Sequence, residues 1–229
     1  MHTVIRPGEP WGSPASSPPD IEVDGRDAAL AAAVAAAPGA LVRLLPDDGN
    51  DLACAVGLRP GEPLGADLTE VPVDALRLAD GSSPNAGGGS LAVNMCVLGS
   101  APDRLRWGTA KVEVEVLLDG RSWFSGPATT IVIANGQFLR GLDVVPRGHP
   151  GDGKAEVQVY ELERRERRAM RARLATGAHV PHPRIRSRSA AEVEVRCARP
   201  LDLEIDGAAR TPISDVHVAV VPAAFRLLV

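Results

Sequence analysis

The sequence predicts a small α/β unit followed by an antiparallel β-sandwich, and three observations carry that reading. Residues 21–58 hold two short apolar strands, each running into a helical pattern. From Val71 onward apolar residues fall on alternate positions, the period of a half-buried strand. The 229 residues include 23 glycines and 20 prolines, enough for the many turns such a chain needs. Aromatic residues make up only 3%, so Val, Leu and Ala must fill the core. This length suits one large or two small domains.

His2 to Arg6 reads as a short strand, and residues 7–19 carry five prolines with Ser and Gly, a loop composition, so residues 1–20 are expected to be flexible. Ile21-Glu22-Val23 is a weak strand. Asp27 to Ala37 is Ala-rich and helical, stopped by Pro38-Gly39. The apolar run Ala40 to Leu45 is a strand that ends in Pro46-Asp47-Asp48-Gly49-Asn50-Asp51. A short helix then reaches Leu58, and residues 59–70 are a Pro/Gly-rich linker. The first domain is thus expected at 21–70 and the second at 71–229.

In the second part, strands are expected at Val71–Leu78 and Leu91–Val97, with a Gly/Ser/Asn loop from Ser82 to Ser90. Lys111–Leu118 alternates cleanly and stops at Asp119-Gly120, a strong hairpin signal. Thr129–Ala134 reads as a buried strand. Ala155–Tyr160, Glu192–Cys197, Leu201–Ile205 and Val216–Val221 continue the series. One charged helix, Glu161 to Leu174, interrupts it.

Bulk properties exclude several classes. A net charge of −4 argues against a general nucleic-acid role. Cys54, Cys96 and Cys197 form no C-x-x-C pair, which argues against a disulfide framework or a zinc site. No apolar stretch is long enough to span a membrane, and the N-terminus lacks the regions of a signal peptide. The default expectation is a cytoplasmic protein.

Chemistry concentrates in the loop after the second strand. Loops at the carboxyl ends of strands in open α/β sheets are where ligands usually bind. Asp47, Asp48 and Asp51 place three carboxylates within five residues, which fits either an exposed acidic turn or a divalent cation. The charged helix holds six arginines against three glutamates between residues 161 and 173. Glu161/Arg165 and Glu163/Arg167 have the i,i+4 spacing that supports a helix. Such a face is either solvated or a contact for anionic lipid headgroups through Arg164, Arg165, Arg167, Arg168 and Arg171, peripheral at a membrane.

Pro46-Asp47-Asp48-Gly49-Asn50-Asp51-Leu52-Ala53, with Gly57-Leu58, resembles the P-x-G-T-G-N-D-[FL]-A-R-x-[LM]-G motif of the diacylglycerol kinase catalytic family, which includes bacterial lipid kinases and sphingosine kinases. Further stretches match in order. Asn94 and Gly99 resemble its F-x-N-x-x-x-x-G strand end, Ala134-Asn135-Gly136 its G-N-G turn, and Gly141 with Pro146 its G-G-G-x-x-x-x-P stretch. His149 to Val157 resembles P-x-A-x-x-D-D-G-x-L-D-V, and Gly177-Ala178-His179 with Pro183 resembles G-x-H-x-x-x-P-x-V. Leu203 to Gly207 resembles the D-G-E strand end, and Phe225 to Val229 the P-x-A-L-x-V end. The resemblance covers most of residues 21–229.

It implies a nucleotide-binding-type α/β domain, a β-sandwich facing a lipid, and a last strand returning to the first domain. It also implies ATP-dependent phosphorylation of a lipid hydroxyl such as that of diacylglycerol. Gly25, Asp27, Gly49, Asn50 and Asp51 would surround ATP and Mg2+, Asp206 would accept the hydroxyl proton, and Asp152 would lie near a structural Mg2+. The Asp-Gly pairs at 206 and 152 are also ordinary turn pairs.

The sequence departs from the family pattern in the chemistry. The G-G-D-G-T loop is here Gly25-Arg26-Asp27-Ala28-Ala29, although glycine is what lets backbone N–H groups approach phosphates. The Glu of D-G-E is Ala208. A further α/β unit that precedes this loop in the family has only about 20 residues in its place, with Arg6-Pro7-Gly8 as its trace. The helical insert that helps to wall the lipid site is replaced by the eleven-residue link 100–110. Three expectations follow: an active lipid kinase, a degenerate member that binds a lipid, a nucleotide or a protein, or a plain structural or interaction domain whose open sheet edge could form a homodimer.

Overall fold

The structure is a computed structural model and describes residues 11–62, 65, 67–81 and 89–229. The strand expected at His2–Arg6 and most of the loop at Ser82–Ser90 lie outside the described residues. The N-terminal part contains β1 (Ser13–Pro14), β2 (Ile21–Gly25), α1 (Asp27–Ala36), β3 (Leu41–Pro46) and α2 (Asp51–Ala55). The rest contains β4 (Thr69–Asp80), β5 (Ser90–Ala92), β6 (Met95–Gly99), β7 (Val112–Leu118), β8 (Arg121–Ala128), β9 (Thr130–Ala134), β10 (Phe138–Leu139) and β11 (Leu142–Asp143). It closes with β12 (Ala155–Tyr160), α3 (Arg167–Arg173), β13 (Ile185–Ala190), β14 (Glu192–Ile205) and β15 (Ala208–Leu228).

β2 and β3 pair in parallel, as a strand–helix–strand unit requires. The Ala-rich α1 covers them by burying Leu30, Ala31 and Val34 against Val23, Val42 and Leu44. This small layer does not stand alone. Its core continues into Val71 and Val73 of β4 and Phe225 and Leu227 of β15. β15 reaches it by pairing in parallel with β3 at Arg226↔Leu41 and Leu227↔Val42, so the last strand does return to the first part. The Pro-rich stretch is not all loop. β1 pairs with β4, because Trp11 Nε1 donates to Pro72 O at 3.0 Å and Ala15 N to Leu68 O at 2.9 Å.

The remaining strands build the sandwich. Asp119 and Gly120 both have positive φ, 49° and 73°, the geometry of a tight hairpin turn between β7 and β8. The two strands expected at Glu192–Cys197 and Leu201–Ile205 are one strand, β14, with register shifts between Arg196 and Leu203. Its first half pairs with β7 and its second with β6, so one bent strand carries the continuous sheet around both layers of the sandwich. Their inner faces meet at Val116, Ile131, Ile133, Val157, Val195 and Val218, all buried. A second apolar layer on the outer face of β6, β9 and β12 is capped by Leu105, Met170 and Leu174. The link 100–110 is therefore folded down on that face, with Leu105 fully buried.

Two sequence expectations need correction. Leu91–Val97 is not one strand. It breaks between β5 and β6, because the amides of Val93, Asn94 and Met95 leave the ladder to donate to the Asp206 carboxylate. The charged helix is only seven residues of α-helix, Arg167–Arg173, followed by a 3-10 turn at Leu174–Thr176. Glu161 N instead donates to Arg184 O, and its side chain pairs with Arg186. The i,i+4 partners do not meet either: Glu163 pairs with Lys111 and Arg184.

Candidate functional site

The loops after β2 and β3 converge, and asparagine stitches them. Asn50 Oδ1 accepts from Ala53 N at 2.7 Å and caps α2, while its Nδ2 donates to Gly25 O at 2.8 Å. Gly25 itself sits at φ 111°, a conformation L side chains rarely adopt. Asp27, the first residue of α1, accepts from Leu52 N at 3.1 Å. Asp51 accepts from Arg140 N at 2.6 Å and from Gly141 N at 2.7 Å, one bond on each oxygen. Arg140 holds that loop with a guanidinium bound to Asp103 at 2.6 and 2.9 Å and to Glu204.

Asp206 approaches from the other side, in the turn after β14, where Asp206 and Gly207 both take positive φ. Its carboxylate is buried and accepts from Val93, Asn94 and Met95 N at 2.8–3.0 Å. Beside it a cavity of about 250 Å3 opens against Ala28, Ala31, Ala32 and Ala35 of α1, with Leu91 and Arg210 on its wall. Small side chains on that helix face leave the space open.

The polar seam extends further. Asn94 Nδ2 donates to Phe138 O, and Asn135 Nδ2 donates to both Asp74 O and Val93 O. Asp74, buried in β4, accepts from Gly153 N at 2.7 Å and Ala223 N at 2.8 Å. It ties the turn before β12 to the bulge in β15. Sequence reading passed over Asp74. The available signal was a lone carboxylate inside the apolar run Val71–Leu78.

Gly25, Asp27, Gly49, Asn50 and Asp51 are thus brought together by the two loops, and Asp206 lies near enough to Asp27 for their charges to interact. Asp152 belongs to a separate corner, where its Oδ1 accepts from Lys154 N at 3.0 Å as an ordinary turn residue. Among the described residues no group of three acidic, His or Cys side chains converges as a metal site. Arg26 lies over the second loop. An added Cβ on Gly49 would fall 2.8 Å from Arg26 Nε, which also contacts Asp47 at 3.3 Å. The acidic turn is therefore bridged by an arginine, with Asp47 also accepting from Gly49 N.

Burial dominates the electrostatics. It pushes the Asp27 carboxyl up to about 8, helped by the nearby Asp206 and Asp51 charges and opposed by the Leu52 amide. Burial also raises Asp206 to about 6, against the lowering effect of its three amides. Both carboxyls are thus easier to protonate folded than unfolded, where the value is 3.8. Their contribution to stability is complete below about pH 4 and is lost as pH rises through about 6 and then about 8. Asp27→Asn, which keeps the acceptor for Leu52, is expected to raise stability at pH 8 by on the order of 2 kcal/mol and to flatten the pH profile. Urea denaturation across that range checks it; a wild type that gains stability with rising pH refutes it.

Residues 101–229 match the family model described as YegS C-terminal NAD kinase beta sandwich-like domain. No curated protein matches the chain. Among solved structures, the fold resembles "a putative diacylglycerol kinase from Bacillus anthracis str. Sterne" with TM-score 0.69, 14% identity, and coverage of 90% of this chain and 76% of that one. A second structure described in the same words gives TM-score 0.63 and 13% identity, covering 82% and 68%. A third, a diacylglycerol kinase of the same organism, gives 0.59 and 15%, covering 82% and 66%.

Proposed function

The chain belongs to the family of the YegS C-terminal NAD kinase beta sandwich-like domain, its motif resemblance to the diacylglycerol kinase catalytic family holds, and we propose that it is a degenerate lipid-kinase-fold binding module rather than a phosphotransferase. The observation that carries this reading is the loop Gly25-Arg26-Asp27-Ala28-Ala29, where side chains stand in place of the glycines whose amides would face nucleotide phosphates, with an exposed Arg26 lying over Gly49 and contacting Asp47.

Phosphoryl transfer rests on positioning phosphates and metal and on a base for the acceptor hydroxyl. Each part is compromised. Each oxygen of Asp51 already accepts from a backbone amide, of Arg140 or of Gly141, and the Asp27 carboxyl favours its proton at neutral pH. This donor set does not fit a magnesium–nucleotide complex. Asp206, the expected proton acceptor, holds three backbone amides, and Ala208 offers it no carboxylate support. The same contacts give Asp27, Asn50, Asp51 and Asp206 a structural role. Asp27 and Asn50 join the two loops of the small parallel layer, Asp51 ties that layer to the 140–141 turn, and Asp206 braces the break at 93–95 within the sandwich.

Two measurements test the reading. Calorimetry of Mg·ATP against the intact protein is expected to show no binding into the millimolar range. Incubation with Mg·ATP and diacylglycerol micelles is expected to leave the lipid unphosphorylated. Transfer of the γ-phosphate to the lipid, above a no-protein control, overturns the proposal and restores the kinase reading.

A further inference from the structure

Among the described residues only Leu45 and Trp107 are large apolar side chains left exposed, and Trp107 is the more open at 65%. The other two tryptophans are partly buried. Trp11 bonds to Pro72 O and packs on His149 with ring centroids 4.7 Å apart, and Trp123 packs on the sandwich core. Trp107 is not loose. It occupies the corner of a tight turn closed from both ends: Thr109 N donates to Arg106 O at 3.2 Å, and Arg106 N donates to Thr109 Oγ1 at 3.1 Å.

The turn is also pinned from beneath. Arg167 is 3% exposed, and its Nη1 lies 2.8, 3.1 and 2.8 Å from the carbonyls of Arg106, Trp107 and Thr109. This removes Arg167 from the surface contacts expected from the sequence. It also fixes the Trp107 turn against the first turn of α3.

The acidic residues around that turn are already occupied. Glu163 pairs with Lys111 and Arg184, Glu166 with Arg184, Glu161 with Arg186, Asp103 with Arg140, and Glu204 with Arg104 and Arg140. Arg106, Arg164, Arg165, Arg168 and Arg173 are exposed, and among the described residues none of them makes an ion pair. An open indole on a turn seated against the arginine-bearing segment 164–173 matches the boundary of an anionic bilayer, where tryptophan settles at headgroup depth and basic side chains meet phosphates. A nucleic acid fits less well. The chain carries a net charge of −4, and one aromatic ring is not a stacking platform.

We propose that the Trp107 turn docks the protein on an anionic lipid bilayer, with the indole at the headgroup boundary and Arg106, Arg164, Arg165, Arg168 and Arg173 on the lipid phosphates. The surface shares no residue with the loops after β2 and β3 or with Asp206, so it holds whether or not phosphate is transferred there.

The experiment is sedimentation of the full chain with vesicles of phosphatidylcholine alone, and of phosphatidylcholine with about a third phosphatidylserine. Binding is expected only to the second and should fall as salt is raised. Trp107→Ala is expected to weaken it on the order of tenfold. Arg164→Ser with Arg168→Ser is expected to weaken it about thirtyfold, from about 1 kcal/mol per basic residue. Both variants alter exposed side chains, and unchanged circular dichroism confirms that they fold. Indole emission that shifts to the blue on anionic vesicles, and is lost in Trp107→Phe, reports insertion. Absence of binding to anionic vesicles, equal binding to both compositions, or binding that survives Trp107→Ala overturns the proposal. So does binding of heparin or RNA without vesicle binding.

Discussion

Asp206→Ala is expected to lose about 4 kcal/mol of folding stability, because it strands the amides of Val93, Asn94 and Met95 without a partner in a buried seam. Those amides cannot rejoin the sheet. β5 and β6 separate at this point, and the carboxylate is what replaces their ladder. Asp206→Asn should lose less, since one oxygen still accepts from Asn94 and Met95 while the amide group faces the Val93 N–H. Urea denaturation of both variants checks the order. If Asp206→Ala is as stable as wild type, the carboxylate is not the bracket described here and its burial has another purpose. The measurement also governs any activity assay, since a variant that unfolds says nothing about a proton acceptor.

Arg167→Ala is expected to cost about 3 kcal/mol, the second large effect. Three carbonyls of the 106–109 turn lose a buried charged donor together. Arg167→Lys should rescue only part of this, because a single ammonium cannot reproduce the reach and flat fork of a guanidinium. Thermal denaturation measures the loss. Quenching of Trp107 fluorescence by acrylamide gives a local readout: the turn should loosen before the protein melts. Unchanged stability and unchanged quenching would mean that the turn is held by Leu105 packing alone.

The two folding patterns were legible because they are periodic. β7 alternates without a break, and Ala-rich α1 runs up to a Pro-Gly stop. What could not be read was long-range. Nothing near Leu91–Val97 tells that a carboxylate more than a hundred residues away will take its amides. Arg167 looked like one more surface arginine, since its i,i+4 neighbours gave it a plausible helix-face partner. Its carbonyl cage belongs to a link that sequence treated as a shortened loop. That the residues of the loop after β3 lie together was legible for another reason. Their motifs are local, and Asn50, Asp51 and Gly49 sit on a single turn. The contact of Arg26 with Gly49 and Asp47 was not legible, because the two loops meet only in the folded chain.

The 21-residue β15 has a consequence for how the chain comes off a ribosome. β2, β3 and α1 are made early, yet β3 finds a covalently distant neighbour in Arg226 and Leu227. Until those residues emerge, the edge of β3 that pairs with them has no partner. Parallel strands closed over nearly the whole sequence are a slow kind of pairing, because the chain entropy is lost before the contacts form. The early segment must wait through synthesis of the whole sandwich, a vulnerable interval in which it depends on chaperones or on its own short length to avoid pairing with another nascent copy.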